Sequence, residues 1–363
     1  MSPAHRKGRP GAPRSAAPTD SSVDLTRLLD IVGGFPRQTI CVVGDFVLDE
    51  FVSGEISRVS REAPVLILRH RRTETYPGGA GNAAANLADL GARVLAVGVA
   101  GDDDGGRVLL DCLRRRGVDV SRIVRARGWV TARKTRYLAG WTHTTEQQVL
   151  RVDCEPNGTL PEATQQTIAR KARQAASKAA AVLVSDYGFG AATPELVRAL
   201  RAKCITLDSR YRLLSYAKAG VIAATPNEAE LEAAYHERIG TNVQKLEELG
   251  ERAASELGVE CLAVTRGKDG MALFEREASR NGGVAKRTQH IAIYGSDAPV
   301  DVTGAGDTVI AAFTLALAAG ASYLEAAHLA NYAGGIVVMK RRTATLTRAE
   351  LQAALRREAT AQR

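Results

Sequence analysis

With 363 residues, 45% of them hydrophobic and 34 glycines, the chain can bury one large core or two modest ones, which excludes disorder over most of its length. The net charge of +9 sits at the ends: residues 1–19 carry four basic side chains and no acid, and residues 340–363 carry seven basic side chains against Glu350 and Glu358. The body between them is near neutral and aromatics amount to 5%, which argues against a specific nucleic-acid reader, whose basic stripe lies on the folded surface among aromatic side chains.

Met1 to Pro18 holds Arg6, Lys7, Arg9 and Arg14 but no apolar run, so it is not a secretory signal. Residues 1–22 read as a disordered basic leader, with a transit peptide as the weaker alternative. Val23 to Val32 suggests a short helix, and Thr39 to Val43 is a β-branched run ending at Gly44-Asp45, the pattern of a buried first strand. Phe51 to Arg72 is β-rich without a helical period and ends at Pro77-Gly78-Gly79, which predicts a small sheet branching from the core. A helix is expected over Asn82–Leu90 and a strand over Arg93–Val99. From Gly101 onward strand and helix alternate, interrupted by a second β-rich patch at Val130–Val152. Strands are expected at Ala181–Ser185, Cys204–Asp208, Val221–Thr225 and Cys261–Thr265, and helices at Gln165–Ala180, Thr193–Ala202, Asn242–Leu257 and Val309–Ala319. Such alternation predicts an α/β fold with a mainly parallel sheet covered on both faces, and ligands beyond the carboxyl ends of its strands.

The uncharged stretch Thr308–Leu324 is broken by Gly320 and carries hydroxyl residues, so it does not read as a membrane span. Cys41, Cys112, Cys154, Cys204 and Cys261 are odd in number and lack C-x-x-C spacing, which fits reduced thiols in a cytoplasmic protein and no zinc site.

The most informative segment is Asp301-Val-Thr303-Gly304-Ala305-Gly306-Asp307, running straight into an apolar helix. Glycines there leave backbone N–H groups uncovered at a helix N-terminus, a cradle for phosphate. Asp307 in that turn reads either as a helix cap or as a carboxylate serving an acceptor hydroxyl. Thr225-Pro-Asn227-Glu-Ala-Glu230 ends a strand and starts a helix: Asn227 and Glu230 fit either a capping box or a hydrated Mg²⁺ site. Thr265-Arg-Gly267-Lys-Asp-Gly270 fits a hairpin turn or a loop near nucleotide phosphates. Asp45, Asp49 and Gly78-Gly79-Ala-Gly81-Asn82 place carboxylates and an amide where a polyol could be held. Gly79 to Ala84 also fits a dinucleotide fingerprint, but Thr73 to Pro77 is a poor strand to feed it, and no P-loop pattern occurs.

Taken in order, Gly78-Gly79-Ala-Gly81-Asn82, Thr225-Pro-Asn227-Glu-Ala-Glu230 and Asp301 to Asp307 resemble the ribokinase/PfkB carbohydrate kinases, over about residues 38–355. Ser60-Arg61-Glu-Ala-Pro64, Lys134-Thr-Arg136, Gln147-Gln148-Val-Leu-Arg151-Val-Asp153 and Ser185-Asp186-Tyr187 look like the kinases of D-glycero-D-manno-heptose 7-phosphate. The resemblance implies a ribokinase-like three-layer domain over residues 36–355, with a small β-sheet lid near 51–76 and 129–152 that often pairs subunits in a homodimer. It implies ATP as phosphoryl donor with Mg²⁺ and leaves a monovalent cation open. Asp307 would be the base, and the amides of Gly304, Ala305 and Gly306 the anion hole. Asn227 and Glu230 would organise Mg²⁺, and Asn227, Thr265, Gly267, Gly270, Thr303 and Asn331 would meet the nucleotide. Asp45, Asp49, Gly78, Gly79 and Asn82 would hold the sugar, joined by Arg61, Lys134, Arg136, Gln148, Arg151 and Asp186, the cations facing its phosphate. Three positions depart from the heptose-kinase pattern: Phe189 replaces a Lys, Arg210 ends a segment usually Asp-Pro-Lys, and Arg342 stands where a glycine is expected. Other sugars, sugar phosphates or nucleosides remain alternative acceptors, and a non-catalytic nucleotide sensor is the alternative of a different class. Bifunctional relatives carry an H-x-G-H motif in a following domain; the six histidines here form none, so kinase activity alone is expected.

Overall fold

The computed structural model describes residues 23–141, 146–278, 284–296 and 298–361, and the expected leader over residues 1–22 lies outside them. Helix α1 (Leu25–Gly33), capped by Asp24, leads into strand β1 (Thr39–Val59). There follow β2 (Leu66–Gly79), α2 (Ala80–Asp89), β3 (Arg93–Gly101), α3 (Asp104–Arg115), β4 (Asp119–Ala126), β5 (Arg133–Gly140) and β6 (Gln147–Cys154). Then come α4 (Glu162–Ala176), β7 (Ala181–Asp186), α5 (Pro194–Arg198), β8 (Ile205–Ser209), β9 (Ala223–Ala224), α6 (Glu228–Tyr235) and α7 (Val243–Leu257). The chain closes with β10 (Cys261–Thr265), β11 (Met271–Ala278), β12 (Val284–Ile291), α8 (Ala305–Ala318), α9 (Tyr323–Val337) and α10 (Arg348–Ala361).

β1 is long because its halves serve two sheets. Residues 39–45 lie between β3 and β7, parallel to both, in a sheet of order β12-β11-β10-β9-β8-β7-β1-β3-β4. Every neighbouring pair from β4 to β10 is parallel, and β11 and β12 add an antiparallel edge. Residues 46–59 continue outward, antiparallel to β2 and parallel to β5, which pairs with β6. This is the branched sheet expected from the β-rich segments, and we call it the lid.

Alternation along β1 decides which layer each side chain joins. Ile40 and Val42 pack with α1, α2, α8, α9 and α10, whereas Cys41 and Val43 pack on the opposite face with α4, α5, α6 and α7. The result is a ribokinase-like three-layer arrangement. All five cysteines are free thiols. No helix among the described residues is long and apolar enough to cross a membrane.

Two expected elements are shorter than their patterns suggested. The helix expected over Thr193–Ala202 covers Pro194–Arg198, and the strand expected over Val221–Thr225 is registered over Ala223–Ala224, between the positive-φ Gly220 and Pro226. Helices α2, α4 and α8 begin earlier than expected, and the start of α8 at Ala305, not Val309, sets Asp307 in the first helical turn. With α8 packed against α2, β7 and β8, that turn lies beyond the carboxyl ends of β1, β7 and β8, where an open α/β sheet binds its ligands.

Candidate active site

A cleft of about 390 Å³ opens between the lid and this edge of the sheet. At its floor Gly304 takes φ +77° and ends the loop before α8. A Cβ on Gly304 would come within 2.3 Å of Asn82 Nδ2, so the position demands glycine twice, by conformation and by space. A Cβ on Gly306 would meet nothing within 4 Å. Its bare face is open, in a first turn whose N–H groups have no partner within the helix. Phosphate-binding geometry at a helix N-terminus takes this form.

Asp307 is buried at 4% exposure. Its Oδ2 accepts from Asn82 Nδ2 at 3.0 Å and its Oδ1 from the Tyr187 hydroxyl at 3.0 Å. Burial pushes its carboxyl up to about 7, with the Asn82 and Tyr187 bonds acting in the opposite sense. Such a group is poised near neutral pH to take a proton. Tyr187 lies in the cleft with Lys134 Nζ 5.1 Å and the Arg210 guanidinium 5.9 Å from its ring centroid. Burial, then the Asp307 charge, raises the phenol well above its ordinary range, so it stays a donor.

Several residues expected on the sugar have other partners. Asp45 accepts from the backbone N–H groups of Tyr187, Phe189 and Ala191. It therefore clamps the 187–191 loop that carries Tyr187 and does not face the cleft. Because residue 189 contributes its amide, the replacement of a Lys by Phe189 leaves this clamp intact. Asn82 spends its amide on Gly304 O and Asp307, and its oxygen on Asn86, so it orients the Asp307 carboxyl and is not free for a hydroxyl. Asp186 is saturated by Arg212, Ser209, Tyr216 and the Gly188 amide and is a buried hub of the fold. Arg61 and Gln148 are exposed and do not line the cleft.

Asp49 does line it, held at Oδ1 by Arg136 at 2.7 Å and at Oδ2 by Thr343 at 3.0 Å. Gly78 makes room, since a Cβ there would lie 2.5 Å from Asp49 Oδ2, and Gly79 lines the cleft at φ +56°. Lys134, Arg136 and Arg151 line the lid side. Arg136 is paired with Asp49 and Arg151 with Asp153, while Lys134 makes no ion pair with a described residue. Burial, then the Arg210 charge, lowers the Lys134 ammonium.

On the other side, Asn227 and Glu230 form the capping box, Asn227 N donating to Glu230 Oε2 at 2.9 Å and Glu230 N to Asn227 Oδ1 at 2.8 Å. Both also face the cleft, together with Thr265 and Thr303. Gly267 and Gly270 flank a turn between β10 and β11 and do not line it; at Gly270, with φ +79°, a Cβ would lie 2.0 Å from the Ile291 carbonyl oxygen. Asn331 donates to Ala292 O at 2.7 Å, which ties α9 to the segment after β12 and leaves it outside the cleft lining. Asp208, not among the expected site residues, lies near the end of β8 and lines the cleft, and burial followed by the charges of Glu230 and Asp307 pushes it well above its ordinary value. Sequence reasoning also passed over Tyr187 and Arg210 as site residues. Their signal was available: each closes or follows a strand at the edge where ligands gather.

The pfkB family carbohydrate kinase profile matches residues 37–349. Among curated relatives, "Bifunctional protein HldE" of Desulfatibacillum aliphaticivorans is 39% identical over 332 residues, covering 88% of this chain and 64% of that protein. The protein of the same name from Mesorhizobium japonicum is 39% identical over 335 residues, covering 89% of this chain and 63% of that one. The chain thus spans somewhat less than two thirds of the length of these relatives. Solved structures with a similar fold include Arabidopsis thaliana ribokinase complexed with ribose and ATP, at TM-score 0.63 and 20% identity over 88% of this chain and 98% of that one. Escherichia coli phosphofructokinase-2 in complex with substrates and products gives TM-score 0.67 and 16% identity over 89% of this chain and 99% of that one.

Proposed function

Because this chain belongs to the pfkB family of ATP-dependent carbohydrate kinases, phosphotransferases that act on a sugar hydroxyl, we propose that its acceptor is D-glycero-D-manno-heptose 7-phosphate, phosphorylated at C1 to the 1,7-bisphosphate on the way to ADP-heptose. The observation that carries the reading is the disposition of charge in one cleft. Asp307 and the bare first turn of α8 lie at the floor, and Lys134, Arg136 and Arg151 line the lid side. An acceptor with a hydroxyl at one end and a phosphate at the other spans those two regions. The curated relatives at 39% identity are consistent with it.

Chemistry follows from the residues present. Asp307, ionised above about pH 7, accepts the proton of the attacking hydroxyl. Amides of the Gly304–Gly306 turn stabilise charge on the transferring phosphoryl group, the largest contribution a protein makes when it does little covalent work itself. Asp49, fixed by Arg136 and Thr343, takes sugar hydroxyls. Lys134 and Arg210, both cleft residues, supply positive charge. The donor set around Glu230 and Asp208 is all oxygen and carries mutually repelling carboxyls, which fits a hydrated Mg²⁺. Bound there, the ion would neutralise nucleotide phosphate charge. Exposed apolar side chains Val149, Leu150 and Val152 on β6, an edge strand of the lid, support a homodimer formed through the lid. A cytoplasmic location accords with the free thiols.

An ADP-release assay over heptose 7-phosphate, free heptose, ribose, fructose 6-phosphate and a nucleoside tests the acceptor. Two charge-assisted contacts to a phosphate predict a preference for the 7-phosphate over free heptose of roughly 10²-fold in kcat/KM. Equal turnover of an unphosphorylated sugar would remove the heptose phosphate and leave the kinase.

A further inference from the structure

Arg342 stands in a backbone conformation suited to glycine. Its φ is +69°, in the left-handed region that a residue with a Cβ rarely adopts. An arginine held at that φ needs a compensating contact. It has contacts in two directions. Its backbone N–H donates to Asp301 Oδ2 at 2.9 Å, and Asp301 Oδ1 accepts from Thr303 N at 2.9 Å, so the main chain buttresses the turn that leads into the anion hole. Its guanidinium reaches into the lid. Nε donates to Glu74 Oε2 of β2 at 3.0 Å, and Nη2 donates to Ser53 Oγ of β1 at 3.2 Å and to Glu146 Oε2, just before β6, at 3.0 Å. The guanidinium also lies 5.2 Å from the Phe51 ring centroid, and Arg136 lies 5.2 Å from the same ring. Next in sequence, Thr343 holds Asp49.

We propose that Arg342 is a positioning residue whose guanidinium locks the lid to the anion-hole turn and so fixes Asp49 and Arg136 relative to Asp307. A solvated surface ion pair would contribute little. This side chain is only 13% exposed and joins three lid segments at once, which is a network and not a lone pair. Burial pushes the Glu74 carboxyl up, yet Arg72 and Arg342 outweigh it and hold the group below its usual range. The kinetic consequence of the lock rests on the kinase reading above, whereas its mechanical consequence does not.

Arg342→Gly isolates the guanidinium: glycine accepts the positive φ and keeps the N–H that serves Asp301, so the fold is retained. Hydrogen–deuterium exchange on the full chain without ligands should show residues 66–76 and 147–154 exchanging about fivefold faster or more, with β7 unchanged. With MgATP and heptose 7-phosphate, KM for the sugar should rise about five- to tenfold while KM for ATP stays within about twofold. Arg342→Lys, which restores one ammonium, should recover part of both effects. Unchanged exchange in the lid would overturn the lock, as would equal rises in the two KM values. If the wild type does not turn over heptose 7-phosphate, the acceptor assignment fails by itself and the exchange result alone decides the lock.

Discussion

With Asp307 as the proposed base, a carboxyl group held by two donors at the bottom of a cleft sets the pH of turnover. Asp307 sits near 7 because burial outweighs its bonds to Asn82 and Tyr187. In the proposed mechanism its ionised form is the active one, so kcat/KM should fall about tenfold per unit as pH drops below about 7 and level off above it. The pKa is raised from 3.8, so the stability this group contributes is full below about pH 4 and is lost as pH rises through about 7. Tyr187→Phe removes a donor to the carboxylate and leaves the ring between Lys134 and Arg210. The acidic limb of the pH profile should then move upward by about one unit. An unmoved limb would mean that the phenol does not bond the base during turnover. The placement of Asp307 and both glycines at the start of a helix was legible from the sequence, because a Gly-rich turn running into an apolar stretch marks a helix N-terminus. Asp45, Asn82 and Asp186 were misread as sugar ligands for a physical reason: at a strand end, a carboxylate that meets substrate and one that clamps a loop amide have the same local sequence.

Helix α8 separates the structural and chemical demands on its glycines. Gly304→Ala forces a Cβ into a left-handed position 2.3 Å from Asn82 Nδ2. It should lower stability by about 1–3 kcal/mol and disturb the base through Asn82. Gly306→Ala places its Cβ in open space and gains helix propensity, so stability should hold or rise by up to about 1 kcal/mol while turnover falls. Urea unfolding alongside ATPase-coupled rates checks both, and a Gly306→Ala enzyme of normal activity would remove the phosphate from that face. The capping box of α6 allows a similar separation. Glu230→Gln keeps an oxygen for the Asn227 amide, so the helix should be unaffected. If Glu230 serves Mg²⁺, a several-fold higher Mg²⁺ concentration should be needed for half-maximal rate, and an unchanged titration would leave only the cap. Parallel strands and covering helices were readable from periodicity, including Cys261–Thr265 to the residue. Extents failed where the chain is interrupted or runs on: β9 is cut short between Gly220 and Pro226, and the branched sheet was readable from its β-rich segments, whereas the unbroken run of β1 from the core into it was not.

At the scale of the whole molecule, the three-layer body carries Asp307 and the bare first turn of α8, and the lid carries Lys134, Arg136 and Arg151 and an edge strand. Exposed Val149, Leu150 and Val152 sit on that edge, so Leu150→Glu should shift the chain toward monomer in sedimentation, with ATP binding retained. A variant that sediments like the wild type would remove the proposed lid contact. What the sequence could not show is how cleft residues from strands far apart in the chain meet: Lys134, Asp208 and Arg210 are brought together only by the crossovers and the branching of β1. The central claim is that this cleft transfers phosphate with Asp307 as base. It is tested most directly by steady-state ADP release from Asp307→Asn at pH 8, beside calorimetric ATP binding. The account predicts turnover lower by roughly 10²–10⁴ with ATP affinity unchanged; turnover within about threefold of wild type would contradict it and return Asp307 to the role of a buried helix-turn residue.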